Sequence, residues 1–387
     1  MRTRHLPIDV LALLCAASVI LLAFPIASLA LSAFLLINLS SGTPRGVRLT
    51  LAITAALAFA MMMGARPLDP DASNDIDVYY GVYQGLAAGQ IEFLATFGGG
   101  LEIALPLLCG IWALVLPALT INGLMFCFAL TGALLLVLWV EKAFYVERRW
   151  RDPALMGVCV LLLNLYFSTQ LTRQFLALIV LLFAFSAQSR PKQWIFLIIA
   201  SSFHLTAIPF YAAWLLARRG PRGWVAIVLA AVAFRLFFWQ LLAAFDVVPD
   251  AVAEKLAFYV DNTQEFTDSD IASLRMIGLL GFISIVSLVT NGMRAGAKLK
   301  PWLAIPWVAA VVHFTLLPIP LASLRTTLIV HSVAPGLIAY QMLWRRKGPV
   351  LVMVLNVLYL YKILSFMAAE QSGNLLSAPA MLSRFLA

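Results

Sequence analysis

The sequence predicts an all-α fold, a polytopic integral membrane helical bundle of roughly 11 to 13 membrane segments, some of them re-entrant or broken. Three observations carry this expectation. The 387 residues are 63% hydrophobic and only 12% charged, which leaves too little polar surface to clothe a soluble domain of this length. Uncharged runs such as 103–140 and 276–293 reach the ~20 residues that a helix needs to cross ~30 Å of hydrocarbon. The charges gather in short gaps whose sign alternates along the chain. Backbone in lipid has no water to bond, so these runs must be helical. The expectation is one integral membrane domain, residues 1–387, with external loops near 66–92 and 246–275.

In chain order, Arg2 and Arg4 precede an apolar run from Ile8 to Ile37, longer than the core of a signal peptide, so it reads as retained. Arg45 and Arg48 form a basic gap, and Leu49–Gly64 leads to Arg66. The gap 66–92 is acidic, with Asp69, Asp71, Asp75, Asp77 and Glu92. Gly98–Gly100, Pro106 and Pro117 interrupt the next apolar stretch, which predicts a re-entrant or interfacial segment and then one crossing near 120–140. Such non-helical backbone is tolerated only against protein or a wet cavity, so the surroundings of Glu92 and Glu102 are a candidate cavity. Arg148, Arg149 and Arg151 form the next basic cluster. Trp194–Leu216 has basic gaps on both sides, Arg190 with Lys192 and Arg218 with Arg219 and Arg222. It is either one crossing or two short helices meeting around Ser201–Thr206, an arrangement that marks binding sites in transporters. Gly223–Phe245, Met276–Met293, Trp302–Leu317, Leu321–Leu343 and Leu351–Met367 complete the threading. The basic gaps, including Arg294 to Lys300 and Arg345–Lys347, face the cytoplasm by the positive-inside tendency, and the two acidic gaps face out.

Composition excludes several functions. The net charge of +9 comes from loop arginines and lysines that orient helices, so no nucleic-acid partner is expected. Cys15, Cys109, Cys127 and Cys159 lie in or beside apolar runs as small hydrophobes. The four histidines are scattered, with His313 and His331 reading as structural, and no metal or cofactor is called for.

Charged groups in or beside membrane helices are costly and point to function. Arg173 and Gln174 follow a polar collar of Ser168, Thr169, Gln170 and Thr172. With Arg66 and Arg325 they reach one outer mouth, and Arg235 lies deeper in its helix. Several guanidinium groups at one mouth suit a lipid-linked diphosphate, because the planar fork pairs two-pronged with phosphate oxygens. The alternative is arginines snorkelling to the interface. His204, at the suspected helix break, is a general base or a partner for a sugar hydroxyl, or else a packing residue. Asp75, Tyr79 and Tyr83 are four apart and share a helix face, a surface for sugar contact or an interfacial anchor.

Together these features resemble the EpsG-type branch of the Wzy-like polysaccharide polymerases, which lengthen exopolysaccharide or O-antigen chains. The resemblance rests on Arg66, then Asp75-x3-Tyr79-x3-Tyr83, then a Glu matched by Glu102 or Glu92. Thr172-Arg173-Gln174 comes next, then Phe203-His204-x-Thr206-Ala207, and finally Arg325. At the last position this sequence has Thr326 and Thr327 where the family usually has aromatic residues. The resemblance implies a multi-pass protein of the bacterial inner membrane. It also implies a glycosyl transfer at its external face, from polyprenyl diphosphate to the non-reducing end of a lipid-linked repeat unit. Arg173, Arg325, Arg66 and Arg235 would bind diphosphate. Gln174, Tyr79, Tyr83 and Thr206 would bind glycan. The base would be among His204, Asp75, Glu92 and Glu102. The implied partners are the polyprenyl-diphosphate-linked oligosaccharide, membrane lipid, a flippase and a chain-length regulator. The rival readings are a transporter or flippase of lipid-linked saccharide and an O-antigen ligase-like glycosyltransferase.

Overall fold

The computed structural model describes residues 17–18, 20–21, 24–66, 75–147, 151–163, 171–244, 271, 274–286, 302, 304–317 and 322–343. All regular structure among them is helical. The apolar run from 351, the C-terminal tail, the acidic loop 246–270 and the collar residues Ser168, Thr169 and Gln170 lie outside the described residues. The chain divides into two compact units. One comprises 1–93, 106–172 and 343–387, and the other 94–105 and 173–342.

In the first unit, α1 (Pro25–Asn38) packs on α2 (Arg45–Gly64), and α2 packs along α5 (Ile121–Val140). Helix α2 buries Ala52, Ala55, Ala56 and Ala58, small side chains that let neighbouring backbones approach in the absence of a hydrophobic drive. Helix α6 (Ala154–Leu161) meets α1 at Gly157, where an added Cβ would lie 2.8 Å from Leu36 Cβ and 3.1 Å from the Ala33 carbonyl oxygen. Helix α3 (Asp75–Ala87) rests on α5 through buried Ile76, Tyr79 and Val82, and α4 (Ala104–Val115) precedes α5. The uncharged run 103–140 thus divides. Twelve residues form α4, Pro117 lies in a non-helical stretch after it, and α5 begins with Thr120 accepting a cap bond from the Gly123 N–H at 3.1 Å.

Among the described residues two helices are long and apolar enough to cross a membrane: α2, with 20 residues, and α5 with its π-helical extension to Val146, with 26. Shorter apolar helices of 10–17 residues include α11 (Leu274–Val286), and within the run 103–140 glycine and proline breaks leave α4 with twelve.

In the second unit, α7 (Thr172–Ser186) is apolar and buried nearly all round, the pattern of a central helix. Phe185 near its end stacks on Trp214 at 4.2 Å, with Phe210, Tyr211 and Trp302 within 6.4 Å. Trp194–Leu216 is two helices, α8 (Arg190–Phe203) and α9 (Ala207–Ala217), and α10 (Pro221–Ala244) comes after them. Helices α12 (Ile305–Leu316) and α13 (Ala322–Ser332) pack together, and α14 (Ala334–Leu343) ends the described chain. Val225, Leu229, Val232 and Leu236 form an exposed apolar stripe on α10, and Ile195 and Ile198 another on α8. That surface suits hydrocarbon as solvent rather than water.

Candidate functional site

The local sequence around Glu102 dictates a sharp reversal. Gly98, Gly99 and Gly100 have φ of 60°, 73° and 77°, the left-handed region that glycine enters without steric cost. At Gly98 an added Cβ would also lie 2.9 Å from Glu102 Cβ, and at Gly100 one would lie 2.7 Å from the Ala95 carbonyl oxygen. The turn folds back on itself and buries Glu102, whose side chain is 8% exposed.

Glu102 Oε2 accepts a short hydrogen bond from Arg173 Nη1, in an ion pair whose arginine is 18% exposed. Arg173 stands in the first turn of α7, where the partial positive charge of a helix N-terminus disfavours a cation. The carboxylate offsets this. The Phe97 ring lies 5.3 Å from the guanidinium carbon and covers it from another side.

His204 occupies the break between α8 and α9. Its φ of −160° and ψ of 129° are extended, so α8 stops there and the chain re-enters a helix through a turn closed by the Ala207 N–H on the His204 carbonyl at 3.2 Å. The imidazole Nε2 lies 3.8 Å from Glu102 Oε1 and 3.1 Å from the Gln174 amide nitrogen. On the other side of the ring, Nδ1 lies 2.8 Å from Thr206 Oγ1 and accepts the Thr206 backbone N–H at 3.3 Å. Gln174 is almost fully buried. One carboxylate, one guanidinium, one imidazole and one carboxamide thus share a small polar enclosure with partial access. It combines a carboxylate that can accept a proton, a guanidinium cation and a neutral carboxamide.

The structure therefore gathers Glu102, Arg173, Gln174, His204 and Thr206 inside one unit. Arg235 and Arg325 belong to the same unit. Arg235 donates from Nη1 to the Phe314 carbonyl oxygen at 3.0 Å, which caps the C-terminal end of α12, and Arg325 is half-buried on α13. Arg66, Asp75, Tyr79, Tyr83 and Glu92 belong to the other unit. There Tyr79 is 1% and Tyr83 3% exposed. Tyr79 donates to Asp75 at 3.3 Å and meets the Phe128 ring edge-on, while the Tyr83 hydroxyl accepts the Leu119 N–H at 3.0 Å. These contacts make both tyrosines packing residues that fasten α3 to the segment leading into α5. Glu92 is exposed, and the Arg66 carbonyl oxygen accepts from Asn122 at 3.2 Å.

Sequence reading missed one polar cluster. Arg48 grips Glu141 with Nε and Nη2 at 2.8–3.2 Å, Arg45 adds a bond at 2.8 Å, and the Tyr145 ring lies 3.8 Å beneath the Arg48 guanidinium. A single carboxylate at the end of a long uncharged run was the available signal.

A model of the EpsG family matches residues 49–377, from within α2 to beyond α14, most of the chain. The chain belongs to the EpsG family. No curated protein and no solved structure matches it. All candidate site residues of this EpsG-family chain, from Arg66 to Arg325, fall inside the matched region. Membership carries a membrane-associated role in polysaccharide biosynthesis, with lipid-linked glycans as the general substrate class.

Proposed function

We propose that this EpsG-family protein is a glycan polymerase of the bacterial inner membrane. It transfers the growing polysaccharide from polyprenyl diphosphate to the non-reducing end of a lipid-linked repeat unit at the external face. The observation that carries this reading is the enclosure of Glu102, Arg173 and His204 at a helix break, beside glycines that hold the carboxylate in place.

The groups divide the chemistry among them. A hydroxyl of the incoming unit attacks the anomeric carbon of the growing chain, the bond from that carbon to the diphosphate oxygen breaks, and the hydroxyl proton passes to a base. Glu102 is the base in this reading, with His204 beside its Oε1 at 3.8 Å. Arg173, with five donors in a rigid fork, serves Glu102 and has the geometry to take phosphate oxygens as charge builds on the leaving group. Arg325, in the same unit, is a further diphosphate contact in this reading, and Gln174 and Thr206 shape the glycan side.

The orientation is the one the charges suggest, with basic gaps inside and the acidic gaps 66–92 and 246–275 outside. The chain is multi-pass, its shorter helices meeting lipid as broken or re-entrant segments. A flippase and a chain-length regulator are the partners such an enzyme needs, to deliver units and to stop growth.

The test is a gel of lipid-linked glycans from cells lacking the gene, complemented with wild-type or His204→Ala protein. The expected result is single repeat units accumulating on the external leaflet, and polymer returning only with the wild-type. Units trapped on the cytoplasmic leaflet would make the protein a flippase.

A further inference from the structure

Resting on the glycosyl-transfer reading, we infer that Gln174 and Thr206 are positioning residues that hold His204 as a neutral imidazole with its proton on Nε2. His204 then donates to Gln174 and takes up no proton, and Glu102 Oε1 is the proton acceptor.

One group around the ring cannot reorient. The Thr206 backbone N–H, fixed by the turn between α8 and α9, is only a donor, and it points at His204 Nδ1 from 3.3 Å. Nδ1 therefore accepts, and the Thr206 hydroxyl at 2.8 Å turns its hydrogen the same way. A neutral imidazole has one proton, which must then sit on Nε2.

Nε2 faces Gln174 and Glu102. The Gln174 amide nitrogen is 3.1 Å away, while its Oε1 is buried and has no hydrogen-bond partner among the described residues. Two donors facing one another beside an idle buried acceptor is the wrong pairing. A half-turn of the carboxamide corrects it, because the two ends have the same shape and Oε1 then accepts the Nε2 proton. Glu102 Oε1, 3.8 Å from Nε2, favours a proton on the same nitrogen.

The assignment divides the roles. An imidazolium would need a proton on Nδ1, where the Thr206 N–H already points, so His204 is not built to take up the hydroxyl proton. Arg173 occupies Oε2 of Glu102, and Oε1 is the oxygen turned toward the imidazole. The proton of the acceptor hydroxyl passes to Oε1. As the glycosidic oxygen–carbon bond forms and the carbon–diphosphate bond breaks, Arg173 receives the diphosphate anion, while the Nε2–H stays on Gln174 Oε1. His204 gains and loses no proton.

Two measurements test this. The first is solid-state nitrogen NMR of ring-labelled histidine in full-length protein in bilayers, compared with His204→Gln and run without substrate near neutral pH. The difference should show a bare Nδ1 and a proton-bearing Nε2. A proton on Nδ1, or on both nitrogens, would overturn the inference. The second is the same spectrum of Gln174→Leu protein, with its chain extension. Loss of the acceptor at Nε2 should move part of the proton to Nδ1 and cost ~100-fold in extension, the scale of a misplaced acid–base group. An unchanged tautomer in this variant would overturn the positioning role. Because the NMR needs no turnover, the expected tautomer in a protein that makes no polymer would support the inference and sink only the reaction.

Discussion

At Arg173 the shape of the charge matters as much as its sign. The guanidinium holds Glu102 with one nitrogen and sits beside the Phe97 ring, and its planar fork is the shape that pairs two-pronged with phosphate oxygens. Arg173→Lys keeps the charge and loses that fork. Polymer made by cells should fall about 100-fold, the cost of removing one oriented donor from a developing anion, while the protein still inserts at normal abundance. Quantitative glycan gels alongside membrane immunoblots check this, and unchanged polymer would remove the diphosphate-clamp role. The choice between Glu92 and Glu102 was not legible in the sequence. Both flank the same glycine-rich stretch, and only the left-handed turn at Gly98–Gly100 buries one and leaves the other exposed.

At the scale of elements, that turn is the device that builds the site. Gly98→Ala places a methyl group against Glu102 and forces a left-handed φ on a residue with a side chain. It should abolish polymer with little change in protein level, measured by the same gel and blot. The Arg48–Glu141 pair joins α2 to the end of α5 and is structural. Glu141→Ala strands a buried cation and should destabilise the protein by about 3–5 kcal/mol, read as a lower thermal midpoint in detergent. Arg48→Met with Glu141→Leu should recover most of that loss, since apolar replacement of a buried pair is close to neutral. The break at His204 was one of two readings that the sequence left open. Basic gaps on both sides allow either one crossing or two short helices meeting around Ser201–Thr206, and the structure has the two helices. The Arg48–Glu141 pair was not legible, because its partners lie 93 residues apart and nothing local signals their meeting. Tyr79 and Tyr83 show the converse. Their spacing put them on one helix face, but spacing alone does not say that this face is turned inward.

For the whole molecule, composition gave the all-α fold and the membrane setting, whereas the number of crossings cannot be had from counting apolar runs. Runs of similar hydropathy became 20-residue helices in one place and 12-residue helices in another, according to where proline and glycine interrupt them. Orientation is testable by thiol labelling in intact cells. Gln90→Cys, exposed after α3, should react with a membrane-impermeant reagent from outside, and Lys192→Cys, exposed at the start of α8, only after permeabilisation. The reverse pattern would place the acidic gap in the cytoplasm and move the chemistry away from the external face. The most direct measurement of the central claim is chain extension by purified protein in liposomes supplied with polyprenyl-diphosphate-linked repeat units. Wild-type protein should produce a ladder of longer glycans and release polyprenyl diphosphate, and Glu102→Gln protein should produce neither. Units that change leaflet without changing length would contradict a polymerase and point to a flippase.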